Sequence, residues 1–173
     1  SDCSNISGLA YKNTEKSFKV NEVSEKVKNL DDLPLPDYSY ASQMIKKSEF
    51  AYLVTSRGCP VNCSFCSTSS FWGQNIRMNS PQRVGEEVDY VKSLGAKRFF
   101  FYDDTFSVSM KRVMEICAEI KRRNIKIKWD VRTRVNVVNE DLLKNMKEAG
   151  CERIHFGVET ANPRVVKELQ KGT

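Results

Sequence analysis

Four times in succession, this 173-residue chain follows a short apolar run with a segment of helical spacing. Phe50-Ala51-Tyr52-Leu53-Val54-Thr55 reads as a buried strand, and Arg98 to Asp103, Ile125 to Val131 and Arg153 to Glu159 read as three more. Ser80 before Pro81, Ser109, Asn139, and Asn162 before Pro163 are placed to cap the helices that follow. Gly95 and Gly150 stand where the first and third helices should stop. The second helix offers Met110, Val113, Met114, Cys117 and Ile120 to a core, and the third offers Leu142, Leu143 and Met146. This alternation predicts an α/β fold, a parallel sheet whose strands are joined by helical crossovers. Periodicity alone leaves open whether the sheet is part of a barrel or an open sheet. A complete eight-unit barrel takes roughly 250 residues, so the chain is too short to be one.

Residues 1–48 read differently. They are polar and irregular, and Leu33-Pro34-Leu35-Pro36-Asp37 resists both helix and strand. This stretch is expected to be a linker or arm on a domain that occupies residues 49–173. The start, Ser1-Asp2-Cys3-Ser4, lacks the basic-then-apolar pattern of a leader, and no apolar run reaches the roughly 18 residues of a membrane span. A cytoplasmic protein without membrane contact is the expectation, and the missing initiator Met suggests a processed chain or an excised piece. The net charge of +6 is spread over helix faces. It predicts a basic surface rather than a nucleic-acid footprint, with a basic interior for anionic substrates as the alternative.

Three of the six cysteines fall within eight residues, in Arg57-Gly58-Cys59-Pro60-Val61-Asn62-Cys63-Ser64-Phe65-Cys66. The spacing is C-x-x-x-C-x-x-C, directly after the first strand and therefore at the carboxyl edge of the sheet, where α/β proteins bind ligands. Three local thiolates can hold a cubane while leaving one iron without a protein ligand. A structural zinc would need a fourth ligand. The only histidine, His155, is distant in sequence, and Cys117 lies on an apolar helix face. Strand parity points the same way. Ile154, Phe156 and Val158 share one face and His155, Gly157 and Glu159 the other. On the third strand, Ile127, Trp129 and Val131 oppose Lys128, Asp130 and Arg132. The apolar sets should lie under the helices and the polar sets should line a ligand cavity.

The cysteine loop, with Phe65 before its last cysteine, resembles the signature of the radical S-adenosylmethionine (SAM) superfamily. The match extends through Cys66 to Gly73, Arg77 to Pro81, Phe101-Tyr102-Asp103-Asp104-Thr105-Phe106, Trp129 to Arg134, Ala149-Gly150-Cys151 and Phe156-Gly157-Val158-Glu159-Thr160. Gly8 to Lys12 and Leu30 to Asp37 resemble the linker that follows a cobalamin-binding domain in one group of these proteins. The resemblance implies a partial parallel (β/α) barrel, with about four of an expected six βα units present and a parent longer at both ends. It implies a 4Fe-4S cluster on Cys59, Cys63 and Cys66, whose open iron binds SAM. It also implies reductive cleavage of SAM to a 5′-deoxyadenosyl radical, with cobalamin in the full-length parent.

By the same resemblance, Glu159 is expected to bond SAM, often through its ribose hydroxyls. The alternative is an ion pair with Arg132 or Arg153. Asp103 or Asp104 would touch the SAM amino group, although the Gly-Gly-Glu form of that motif is absent; Asp104 could instead cap a loop. Two such carboxylates side by side would favour a cation between them. Arg132 would neutralise a SAM carboxylate or pair with Glu159, and Phe65 would set its backbone against adenine. His155 would contact substrate or be a satisfied structural group, and Cys117 and Cys151 would be core residues. Phe71 and Trp72 would shield the cluster or pack on the first helix.

The expected activity is cobalamin-assisted methyl transfer or cyclisation on a small molecule, with electrons from a flavodoxin or ferredoxin. A methylthio-transferring RNA-modifying enzyme is one rival. The other is a fragment without activity, whose open barrel edge invites self-association.

Overall fold

The computed structural model describes residues 3–12, 17–22 and 26–172. Ser1 and Asp2, half of the leader motif sought above, lie outside the described residues.

The chain begins with a small antiparallel pair, β1 (Ala10–Lys12) and β2 (Phe18–Val20), then a short helix α1 (Ser42–Ser48). The strands β3 (Phe50–Leu53) and β4 (Ser56–Arg57), the helix α2 (Thr68–Trp72) and the strand β5 (Arg77–Met78) frame the cysteine loop. After them come α3 (Pro81–Ser93), β6 (Arg98–Phe101), α4 (Met110–Arg122), β7 (Lys128–Thr133), α5 (Glu140–Glu148), β8 (Cys151–Phe156) and α6 (Pro163–Glu168). The central sheet has the order β3-β6-β7-β8, every pairing parallel. This is the predicted partial barrel with its four strands in sequence order, and the helices that follow the first three pack on one face. No described helix is long and apolar enough to cross a membrane.

The caps work as read from sequence. Ser80 Oγ accepts from the Arg83 N–H at 3.1 Å, Ser109 Oγ from Arg112 at 3.3 Å and Asn139 Oδ1 from Leu142 at 2.8 Å. Gly150 has a φ of +98°, and a Cβ there would stand 2.2 Å from the Ile127 carbonyl oxygen. Only glycine lets α5 end that close to the neighbouring strand.

The core lies between the sheet and α3, α4 and α5. It holds Leu53, Phe99, Phe101, Trp129 and Val131 from the strands, and Val84, Val88, Val91, Val113, Ile116, Cys117, Ile120, Leu142 and Met146 from the helices. Burying side chains of this size contributes about 1.5–3 kcal/mol each before entropy is counted. Phe101, Phe106 and Trp129 contact one another at centroid distances of 5.2–5.8 Å, and Trp129 Nε1 donates to the Ala149 carbonyl at 2.8 Å.

Five details depart from the sequence reading. Met110 and Leu143, expected inward, are exposed, while Ile116 takes a core place. Met110 is the first residue of its helix, so it falls outside the span that the sheet covers. The third strand starts at Lys128 rather than Ile125, because Gly95 to Lys97 set the neighbouring strand's start and Lys128 pairs with Arg98. The fourth strand runs from Cys151 to Phe156, so Glu159 stands beyond it with a left-handed φ of 62°. A register shift between Trp129 and Asp130 pairs Trp129 with Cys151 and Asp130 with Arg153, leaving Glu152 unopposed. Finally, the region read as an irregular arm contains α1, whose Ile45 is buried in the core. The arm is anchored further back by Tyr38 Oη donating to Glu87 at 2.5 Å, Ser80 N–H donating to Asp31 at 2.9 Å and Arg83 donating to the Leu33 carbonyl at 2.6 Å.

Candidate active site

The cysteine loop leaves the sheet at Thr55. The Asp103 carboxylate accepts from the Thr55 N–H at 2.6 Å, the Thr55 hydroxyl at 2.6 Å and the Ser56 N–H at 3.1 Å. The Thr55 carbonyl in turn accepts from Arg112 Nη2 and the Asn79 N–H, both at 2.9 Å. Burial pushes the Asp103 carboxyl above the usual carboxylate range, and the bonds from Thr55 and Ser56 and the nearby Arg112 charge oppose that push. Asp103 is therefore a strut between the ends of β3 and β6, fully buried and set back from the cavity.

The antiparallel pairing of β4 with β5 closes the base of the loop, with Arg57 opposite Arg77. Gly58, at φ +98°, lies so near the Asn75 carbonyl that a Cβ would come within 2.8 Å of its oxygen. This glycine turns the chain into the first cysteine. A bond of 3.1 Å from the Cys66 N–H to the Cys63 carbonyl forms the second turn.

Cys59, Cys63 and Cys66 all line one cavity of about 270 Å³ at the carboxyl edge of the sheet, together with Phe65, Asp104, Arg132, His155 and Glu159. Cys59 is buried, with its Sγ 3.5 Å from Thr105 Oγ1, Cys63 is half-buried and Cys66 is exposed. Among the described residues, no three His, Cys, Asp or Glu side chains converge on a single ion. A cubane is gripped at separate corners, so its thiolates stand further apart than the ligands of one ion. Three reduced thiols on one cavity wall, with few partners of their own, are a donor set that fits such a cluster. A larger cleft, about 810 Å³, opens at the opposite edge of the sheet, where Lys97, Lys121, Glu49 and Glu148 pair among themselves. Of the family-like motifs, Ala149 and Gly150 line it, and the cysteine loop does not.

The remaining expected residues separate. Asp104 is exposed and accepts from Thr68 Oγ1 at 3.1 Å, tying the start of α2 to the cavity rim. It faces away from the use made of Asp103, so the two carboxylates do not form the cation site that their adjacency suggested. Arg132 lies 3.8 Å over the Tyr102 ring and, among the described residues, pairs with neither Glu159 nor any other carboxylate. Glu159 instead binds Lys171 Nζ at 2.8 Å. The expected pairing with Arg132 or Arg153 fails because the strand ends three residues before Glu159 and the chain turns toward the C-terminal segment.

His155 is exposed beside the Phe100 ring, at a centroid distance of 5.4 Å. Phe71 is exposed and meets Trp72 edge-on, while Trp72 lies by the guanidinium groups of Arg57 and Arg77. Burial raises the Cys117 and Cys151 thiols to about 12, as suits inert core residues. Sequence reasoning missed Thr105, Thr133, Arg134 and Lys171 in the cavity lining. Thr105 falls within a quoted motif and was within reach. Lys171 lies past the last helix with no pattern around it.

The site is thus a half-barrel of parallel strands with a three-cysteine loop over their carboxyl ends. Residues 53–173 match the radical SAM superfamily, and the chain belongs to that family. It is 38% identical over 171 residues to an uncharacterized methyltransferase of Pyrococcus horikoshii, covering 96% of this chain and 37% of that protein. It is 32% identical over 155 residues to the cytidylyl-2-hydroxyethylphosphonate methyltransferase of Streptomyces wedmorensis, covering 82% of this chain and 29% of that protein. The chain thus spans about a third of the length of these relatives. Among solved structures it is similar to the cobalamin-dependent SAM radical enzyme OxsB with aqua-cobalamin and SAM bound. The TM-score is 0.83 at 25% identity, over 99% of this chain and 27% of that one.

Proposed function

We propose that this chain is the cluster- and SAM-binding part of a radical SAM methyltransferase that also uses cobalamin. The observation that carries the reading is the meeting of Cys59, Cys63 and Cys66 with Arg132 and Glu159 in one cavity at the carboxyl ends of the strands. The relatives named as methyltransferases support methyl transfer, and the likeness to an enzyme holding aqua-cobalamin and SAM supports the two cofactors, while a cyclase and a putative methylthiotransferase also stand among the relatives.

In this reading the three thiolates would hold a 4Fe-4S cluster, three protein ligands for four irons. Once bound, the cluster would supply one-electron reduction of SAM, drawing on a flavodoxin- or ferredoxin-type donor. Glu159 accepts hydrogen bonds from the ligand's hydroxyl or ammonium groups. Arg132, with no carboxylate partner among the described residues, offers its guanidinium to the ligand's carboxylate while Tyr102 holds it flat. Phe65 covers the cavity mouth, and Asp104 orients the first turn of α2 at the rim. Asp103 keeps the loop's root in place and does not touch SAM. The substrate is a small molecule.

Anaerobic reconstitution with iron and sulfide tests this. The wild type should take up about four irons per chain, the Cys63→Ala variant markedly fewer, and only the wild type should release 5′-deoxyadenosine from SAM under a strong reductant. Equal iron in both chains would refute the ligand assignment.

A further inference from the structure

Lys171 is nearly buried, with a relative exposure of 5%, close to the C-terminal end of the described chain. A lysine so placed must be held by partners, because a buried ammonium is costly. Its Nζ donates to Glu159 Oε1 at 2.8 Å and lies 5.8 Å from the centroid of the Phe65 ring. Its backbone is clamped from the other side. Arg134 Nη2 donates to the Lys171 carbonyl and, at 3.2 Å, to the Gly172 carbonyl, and Asn136 Nδ2 donates to Gly172 at 3.0 Å. Just upstream, the same segment meets the cysteine loop. The Ser64 N–H donates to the Leu169 carbonyl at 3.0 Å, and Ser64 Oγ donates to the Glu168 carbonyl at 3.3 Å.

Residues 168–172 therefore form a strap that touches the loop between Cys63 and Cys66, the end of β7 and Glu159. Gly157 makes room for it. A Cβ at that position would stand 2.9 Å from both Glu159 Oε1 and Lys171 Nζ, so the ion pair lies directly on a residue without a side chain. Among the described residues Glu159 has no other hydrogen bond. Its second carboxylate oxygen is left for a ligand.

From this geometry we infer that Lys171 is a positioning residue. It fixes the Glu159 carboxylate in the left-handed turn after β8, spends one oxygen and holds the other at the cavity, in register with the cysteine loop through the strap. The inference deepens the proposed function and rests on Glu159 being a SAM contact. Removing the ammonium frees the Glu159 side chain to rotate, and SAM binding weakens while cluster binding at the loop persists.

The test uses the reconstituted chain and titrates SAM by calorimetry against wild type, Lys171→Met, Lys171→Arg, Glu159→Gln and the double variant Glu159→Gln/Lys171→Met. Lys171→Met should weaken SAM binding roughly tenfold, the scale of one charge-assisted hydrogen bond, and Lys171→Arg should recover most of it. The double variant should bind SAM no worse than Glu159→Gln alone, because Lys171 acts only through that carboxylate. Iron per chain should be the same in all five proteins. Additive losses in the double variant would overturn the inference, as would unchanged SAM affinity in Lys171→Met or loss of its iron.

One measurement is independent of cluster and SAM. In urea unfolding of the cluster-free chains, the midpoint shifts of Glu159→Gln and Lys171→Met should be non-additive, and strict additivity would remove the ion pair on which the inference stands. A wild type that binds neither iron nor SAM, while this coupling persists, would count against the proposed function and leave the Lys171–Glu159 unit standing as a device for another ligand.

Discussion

The two faces of the central sheet are built from the same strands and behave as different materials. Toward the helices, Phe99, Phe101, Trp129 and Val131 are wholly buried. Toward the barrel interior, Tyr52 and Tyr102 are 61% and 50% exposed. There Phe50, Tyr52, Phe100, Tyr102 and His155 form a row of rings, with centroids 4.9–6.1 Å apart, on which Arg132 rests. The outer face gains its energy from close packing, where every methylene is felt. The inner face retains polar tips and open ring surfaces. Strands buried on only one side divide the labour, one face for stability and the other for whatever enters the barrel.

The largest expected effect falls on the outer face. Phe101→Ala should destabilise the chain by about 3–5 kcal/mol in urea unfolding, a large share of the total for a domain of this size. A loss under about 1 kcal/mol would break the contrast between the faces. Asp103→Asn comes next, at about 1–3 kcal/mol, because an amide N–H would meet the donors on Thr55 and Ser56. That variant should also lower iron uptake by loosening the root of the cysteine loop, and intact uptake with intact stability would demote the strut.

A smaller, pH-dependent effect belongs to the helical layer. Hydrogen bonds from Arg122 and Arg123 lower the Glu119 carboxyl from 4.5 to about 2. Its folded value lies below its unfolded one, so its contribution is complete above pH 4.5 and disappears as the pH falls through about 2. Between those values the urea midpoint of the wild type should fall more than that of Glu119→Gln, and parallel curves would exclude the effect. Smallest is Tyr52→Ser on the inner face, expected to cost about 1 kcal/mol or less. A cost matching that of Phe101→Ala would mean the two faces are not distinct.

The outer face could be read from the sequence because its signals are local. Alternation along the strands, spacing along the helices and cap residues each span a few positions, and Ser80, Asn139 and Gly150 act where they were read. The three cysteines were legible for the same reason. What escaped reading depends on distant segments meeting. Nothing near Asp103 reveals that its oxygens would be taken by Thr55 and Ser56, some 48 positions away. Nothing near Glu159 reveals that Lys171 would claim it in place of an arginine. Parity placed His155 and Arg132 on the same face correctly, yet it overextended the strand to Glu159, because where a strand stops is set by its neighbour's length and not by its own alternation.

Glu152, unopposed in the pairing of β7 with β8, works like a letter inserted into a message. Before it, Cys151 turns toward the helices; after it, Ile154 does so again, three positions on instead of two. Every later residue is read in the shifted frame, which sets His155 level with Arg132 and brings Gly157 to the cavity. Straighten the bulge with Glu152 paired into the ladder and the frame slips by one, so that the strand would turn its chemistry toward oil and its oil toward the solvent.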